Sequence, residues 1–65
     1  MNVVDMLNSY SGSGDNIWQD VILDLPGYDE AATEAIDPSG ASDRFVADGV
    51  IYAYDAASRA WYVAS

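Results

Sequence analysis

The last third of the chain, residues 43–65, constrains the fold most, because three short runs in it have the composition of β-strands. They are rich in Val, Ile, Tyr, Phe and Trp, which suit a pleated, half-buried surface. Asp48-Gly49 separates the first two runs, and this pair is typical of a two-residue turn in which both residues have positive φ. The sequence therefore predicts a three-stranded antiparallel meander. The predicted strands are 44–47, 50–54 and 59–64.

The lengths of the turns predict which residues face each other across the meander. A two-residue turn pairs Phe45 with Tyr52, and a four-residue turn at 55–58 would pair Tyr52 with Trp61. Neither face of the sheet is then polar, so we expect both to be covered, with a helix packed on the smoother one. The aromatic face would carry Phe45, Val50, Tyr52, Tyr54, Trp61 and Val63 with Arg59 beside them, and the smooth face Val46, Ile51, Ala53, Ala60, Tyr62 and Ala64 with Arg44 beside them.

Two helices are predicted in the first 25 residues. Asn2 is a suitable cap for a helix that runs to Tyr10, and residues 11–14 (Ser-Gly-Ser-Gly) then interrupt it. Asp15 is a suitable cap for the next element, 17–25. Its apolar residues recur at helical spacing apart from Leu23, which favours a helix, but the β-branched content leaves a strand as the alternative. The apolar positions of this element are Ile17, Trp18, Val21, Ile22 and Leu25.

A third helix is predicted at 28–36, where Asp29 can cap and three alanines favour helix formation. Asp37-Pro-Ser-Gly40 ends it. The sequence thus predicts one small α+β domain over residues 1–65. Two or three short helices in the mainly helical part, 1–40, would pack on the meander in 41–65.

The charge balance is the strongest indication of function. Eleven acidic residues face two arginines, the net charge is −9, and nine of the acids are Asp. A surface of this kind repels nucleic acid and anionic membranes and attracts basic partners. The alternative interpretation is that the acidity serves solubility or adaptation to high salt.

Two rows of carboxylates are the candidate contact sites for such a partner. Residues three or four apart share one face of a helix, and a four-residue step rises about 6 Å. Regularly spaced carboxylates can imitate the phosphates of a nucleic-acid strand, although a solvated helix face produces the same pattern. The predicted partner-binding residues are Asp20 and Asp24 in one row, and Glu30, Glu34 and Asp37 in the other.

Catalytic chemistry has few candidate residues in this chain. It contains no Cys and no His, and its serines therefore lack the usual proton-accepting partner. No stretch has the spacing of a calcium loop or a phosphate-binding loop. We therefore expect no enzyme, no cofactor and no metal site. No run is long enough to span a membrane and no signal peptide is evident, so a cytoplasmic location is expected.

Three functions remain open at this stage, and the third of them, after the two described next, is a small-molecule or metal binder. The first is a small acidic protein-interaction module that binds a basic, nucleic-acid-handling protein, as inhibitors that mimic DNA do. The alternative is an assembly protein that homodimerises through its aromatic sheet face, because aromatic residues and Arg are enriched both at interfaces and in small cores. The residues concerned are Phe45, Tyr52, Tyr54, Arg59 and Trp61.

Overall fold

The computed structural model describes residues 2–10 and 14–65. Within them, helices precede a three-stranded antiparallel sheet, and the predicted α+β fold is confirmed. The elements are α1 (Val3–Ser9), α2 (Gly14–Ile17), a π-helix that continues α2 (Trp18–Ile22), α3 (Glu30–Ile36), β1 (Arg44–Ala47), β2 (Val50–Asp55) and β3 (Ala60–Val63).

The first hairpin has the predicted geometry. Phe45 pairs with Tyr52, and the sheet order is β1-β2-β3. Asp48 and Gly49 have φ values of 52° and 76°, so both turn residues occupy the left-handed region. Asp tolerates that region better than most side chains and Gly carries no steric penalty there, which explains why this dipeptide gives the turn.

The predicted register of the second hairpin was wrong by two residues. Tyr52 pairs with Val63 instead of Trp61, and Tyr54 pairs with Trp61 instead of Arg59. Because side chains alternate with a period of two, an even shift leaves every residue on its predicted face. The aromatic and smooth faces are therefore composed as expected.

Asp55 is the cause of this shift. It remains in β2, paired with Ala60, while its carboxylate accepts hydrogen bonds from the amide of Ala57 (3.2 Å) and the hydroxyl of Ser58 (2.9 Å). An Asp that bonds the backbone two residues ahead nucleates a turn. The turn thus occupies residues 56–59, and Arg59, predicted to open the third strand, lies in it with a φ of 57°.

Side-chain caps begin α1 and α3 at the predicted residues. The Asn2 side chain accepts a hydrogen bond from the amide of Asp5 at 2.8 Å, and Asp29 accepts one from the amide of Ala32 at 3.0 Å. Such caps satisfy backbone amides that have no partner within the helix. The predicted interruption after Tyr10 lies outside the described residues, except for Gly14, where α2 begins.

The element predicted at 17–25 is helical, but most of it is a π-helix and it ends at Ile22. The amide of Leu23 donates to the carbonyl of Trp18 at 3.0 Å, a five-residue step. Such a step brings residues five apart close to one face, and Ile17 and Ile22 are both buried. Leu23, which broke the apolar pattern, is 51% exposed. The predicted capping role of the Asp15 side chain lies outside the described part of the chain.

The hydrophobic core lies on the aromatic face of the sheet. Phe45 is fully buried and its ring contacts those of Trp18, Tyr28, Tyr52 and Trp61. The expected close cover of the smooth face was wrong for most of that face. Val46 is buried there and Tyr62 is 48% exposed. The residues before α3 pack on the aromatic side instead, and those buried in this core are Leu7, Ile17 and Ile22 from the helices and Leu25 from the turn that follows them.

Polar side chains cap both outer edges of the sheet. On β1, the amide of Val46 donates to Thr33 Oγ1 at 2.9 Å, and its carbonyl accepts from the amide of Asp29 at 2.9 Å. On β3, Asn8 accepts from the amide of Trp61 at 2.8 Å and donates to its carbonyl at 3.1 Å. Unpaired strand edges invite pairing with other chains, so these contacts both fix the helices and protect the sheet.

Candidate functional site

Asp20 and Asp24 were predicted to lie along one helix, but the structure does not place them so. Asp20 belongs to the π-helix, but Asp24 follows its end and lies in a turn. Asp20 Oδ2 accepts a hydrogen bond from the Tyr10 hydroxyl at 2.6 Å. This hydrogen bond, followed by desolvation and the charge of Asp20, raises the pKa of Tyr10. Asp20 therefore connects α1 to the π-helix, and both carboxylates remain at the surface.

The second row is continuous over α3. Glu30 and Glu34 lie on successive turns of this helix and both are exposed. A four-residue step places their positions about 6 Å apart along the helix axis. Like charges at this spacing weaken a helix by a few tenths of a kcal/mol. Of the five predicted contact residues, these two keep the predicted arrangement on a single helical face.

Asp37, the third member of that row, folds the loop after α3. One carboxylate oxygen accepts from the hydroxyl of Ser39 (3.0 Å) and the amide of Ala41 (3.2 Å), and the other accepts from the amide of Ser42 (2.9 Å). Desolvation acts to raise the pKa of Asp37, but these hydrogen bonds and the charge of Arg44 outweigh it and lower the pKa. Asp37 is therefore a structural residue of the loop as well as a surface acid.

Replacing Asp37 with Asn should make the free energy of unfolding vary less with pH in the acid range. A carboxyl group whose pKa is lower in the folded state stabilises the fold above its unfolded pKa, about 4, and that contribution is lost as pH falls through the folded pKa. The wild type should thus exceed Asp37→Asn in free energy of unfolding at neutral pH, and the difference should shrink in acid. Urea denaturation at neutral pH and below about pH 3 measures this difference. A difference that grows in acid would contradict the assignment.

The five residues predicted as core or interface have different environments. Phe45, Tyr52 and Trp61 are buried in the core. Tyr54 is 38% exposed, and its ring lies 5.5 Å from that of Trp61. Arg59 is exposed in the turn before β3. Only the last two therefore present much surface to another molecule.

A cleft of about 390 Å³ lies where this aromatic set meets α1 and the loop before β1. Both tryptophans of the chain line it, and so do Tyr54 and Arg59. Trp18 is held in place by a hydrogen bond from its Nε1 to the carbonyl of Ser42 at 3.0 Å. The remaining lining residues are Leu7, Asn8, Tyr10, Ile17, Ala41, Ser42 and Asp43.

The sequence analysis did not anticipate this cleft. Trp18 was identified only as part of an apolar helix face, and Asn8 was not singled out. The loop at 41–43 lines the cleft, and Asp37 folds this loop by accepting hydrogen bonds from the amides of Ala41 and Ser42, four and five residues ahead. The one sequence signal for the cleft is Trp18, an aromatic residue near a helix end, and this signal is weak.

Among residues 2–10 and 14–65, no group of three His, Cys, Asp or Glu side chains is placed to hold a metal ion. In the same residues, no helix is both long and apolar enough to cross a membrane.

The chain was compared with known proteins at three levels. No protein family model, curated protein or solved structure matches it.

Proposed function

We propose that this protein is a non-enzymatic interaction module whose acidic surface binds a basic protein, of the kind that grips nucleic acid. The observation that carries the proposal is the excess of exposed carboxylates that have no cationic partner. Arg44 and Asp43 form the one ion pair among the described residues, with Nε and Oδ1 3.3 Å apart. Nine of the ten acids whose side chains the structure describes therefore form no ion pair with a described residue.

The α3 row is the part of this surface that we assign to the partner. Glu30 and Glu34 point from one short helix, and neither carboxylate accepts a hydrogen bond from a described residue. Since Asp20, Asp37 and Asp55 accept hydrogen bonds within the fold, their charges have a structural use as well. Regularly spaced carboxylates on a rigid element are suited to a basic groove that otherwise binds phosphates.

Neutralising the α3 row should strongly weaken partner binding and leave the fold intact. The immobilised protein is used to capture partners from a lysate of its native host, and the double variant Glu30→Gln/Glu34→Gln is compared with wild type. We expect retention of a basic partner to fall at least roughly tenfold, because each lost charge contact removes on the order of 1 kcal/mol. Thermal unfolding followed by circular dichroism checks that the variant is folded.

A matched control separates this row from the bulk charge. Asp5→Asn/Asp48→Asn also removes two exposed negative charges, and Asn tolerates the left-handed backbone at position 48. The control should retain the partner almost as well as wild type. Equal losses in the two double variants would contradict the assignment to α3, and no loss in either would contradict the proposed function.

The two alternatives for this surface predict different behaviour. If the acidity were an adaptation to high salt, the protein would unfold when salt is lowered from molar to physiological concentration, and the interaction proposal would fail. A homodimer through the aromatic face would have little surface to use, because Phe45 and Trp61 are buried and Tyr54 and Val63 supply most of what is exposed. Size-exclusion chromatography with light scattering distinguishes a dimer from the 7.0 kDa monomer.

A further inference from the structure

Arg59 forms no ion pair with any carboxylate that the structure describes, although the chain has eleven acids. Asp55, at the end of β2 just before that turn, accepts from Ala57 and Ser58, and the acid that lines the cleft, Asp43, pairs with Arg44. The Arg59 guanidinium donates no hydrogen bond to any described residue, although it offers five donors. Arg59 is therefore free to bind an anion in the cleft that it lines.

The walls of the cleft indicate the rest of the ligand. Trp18, Tyr54 and Trp61 line it together with Leu7 and Ile17. The volume of this cleft, about 390 Å³, lies within the roughly 300–1,000 Å³ that is typical of small-molecule sites, and Asn8, Ser42 and Asp43 add polar groups to its lining. Aromatic walls favour a flat, apolar body for the ligand.

We propose that this cleft binds a small aromatic carboxylate, with its ring between the aromatic walls and its carboxylate on Arg59. A planar guanidinium matches a carboxylate with two parallel hydrogen bonds, so Arg59 would select this group over others. The proposal is independent of the partner assigned to α3, because no α3 residue lines the cleft.

Because the net charge is −9, the bulk charge and Arg59 favour ligands of opposite charge, and this difference can be tested. At a distance, the acidic surface attracts cations and repels anions, but salt screens this effect beyond about 8 Å at physiological ionic strength. A bulk effect would therefore favour a cationic aromatic ligand, whereas a site centred on Arg59 favours an anionic one. Ligands that differ in charge but share a phenylpropyl body distinguish the two.

The experiment is a titration of the intact protein with phenylpropionate, phenylpropylammonium and phenylpropanol, followed by tryptophan fluorescence. Both tryptophans line the cleft, so occupancy should change the signal. We expect phenylpropionate to bind roughly tenfold more tightly than either other probe, as a charge-assisted hydrogen-bonded pair implies. Arg59→Asn should remove this preference, and Asn suits the left-handed backbone of that turn.

Ala31→Glu provides the matched control. It changes the net charge by the same amount as Arg59→Asn, at an exposed position of α3 away from the cleft, and should retain the preference for phenylpropionate. The proposal is overturned if the ammonium or the alcohol binds as tightly as the carboxylate. It is also overturned if no probe binds or if folded Arg59→Asn keeps the preference.

Discussion

Phe45→Ala should leave the chain largely unfolded at room temperature. Phe45 is fully buried, and its ring packs against Trp18 from the helical layer and against Tyr52 and Trp61 from the sheet. Truncating a buried Phe typically costs about 3–5 kcal/mol, because the side chain loses its burial and leaves a cavity. A chain of 65 residues has a total stability of similar size, so this single change should exceed it.

Urea denaturation monitored by circular dichroism and tryptophan fluorescence measures this loss. Leu23→Ala is the control, because Leu23 is equally apolar but 51% exposed, and its truncation should change the free energy of unfolding by less than about 0.5 kcal/mol. Phe45→Leu should give an intermediate loss that remains measurable. If Phe45→Ala were as stable as Leu23→Ala, the core would not be centred on this ring.

Thr33→Val should destabilise the fold by about 1–3 kcal/mol although it preserves the size and shape of the side chain. The Thr33 hydroxyl accepts the hydrogen bond from the amide of Val46 at 2.9 Å, and both residues are buried. Valine offers no acceptor, so the amide at the edge of β1 would lose its partner without gaining water. Hydrogen exchange of the Val46 amide should accelerate more than that of the amides in β2.

Thr33→Ser separates the hydroxyl from the methyl group. Serine keeps the acceptor, so it should preserve slow exchange at Val46 and cost only the burial of one methyl, about 1 kcal/mol. A Val variant as stable as wild type would contradict the role of the hydroxyl in capping β1. A Ser variant with fast exchange at Val46 would do the same.

The local features of the fold were predictable from the sequence. Asp48-Gly49 predicted the first hairpin with its register, and Asn2 and Asp29 predicted two helix starts, because each signal depends on backbone chemistry within four residues. The composition of the two sheet faces was also correct, since it depends only on the parity of the strand residues.

The features that depend on tertiary contacts were not predictable in the same way. The second hairpin differs from its predicted register because Asp55 stays paired with Ala60 in β2 while its carboxylate bonds the turn that follows. The π-helix after Ile17 needs a five-residue step that no local pattern specifies, and it lets Ile22 reach the core. Asn8 and Thr33 cap strand edges far away in the chain, and their types alone gave no sign of this role.

The candidate site was predictable in composition but only in part in arrangement. The sequence identified the acids and the aromatic set, and Glu30 and Glu34 kept their predicted relation on α3. Asp24 lies outside the helix in which it was predicted, because the π-helix ends at Ile22. Asp37 became part of a loop network because its carboxylate has nearby amides to bind. Whether a carboxylate is solvated or accepts hydrogen bonds from nearby amides depends on where the folded backbone places those amides.

Competition with duplex DNA for the captured partner tests the central claim most directly. The affinity of the wild-type protein for that partner is measured at about 50 mM and about 200 mM salt, with and without saturating duplex DNA. If the α3 carboxylates occupy a phosphate-binding groove, binding should weaken steeply with salt and should be mutually exclusive with DNA. An affinity that is independent of salt, or a ternary complex with DNA, would contradict it.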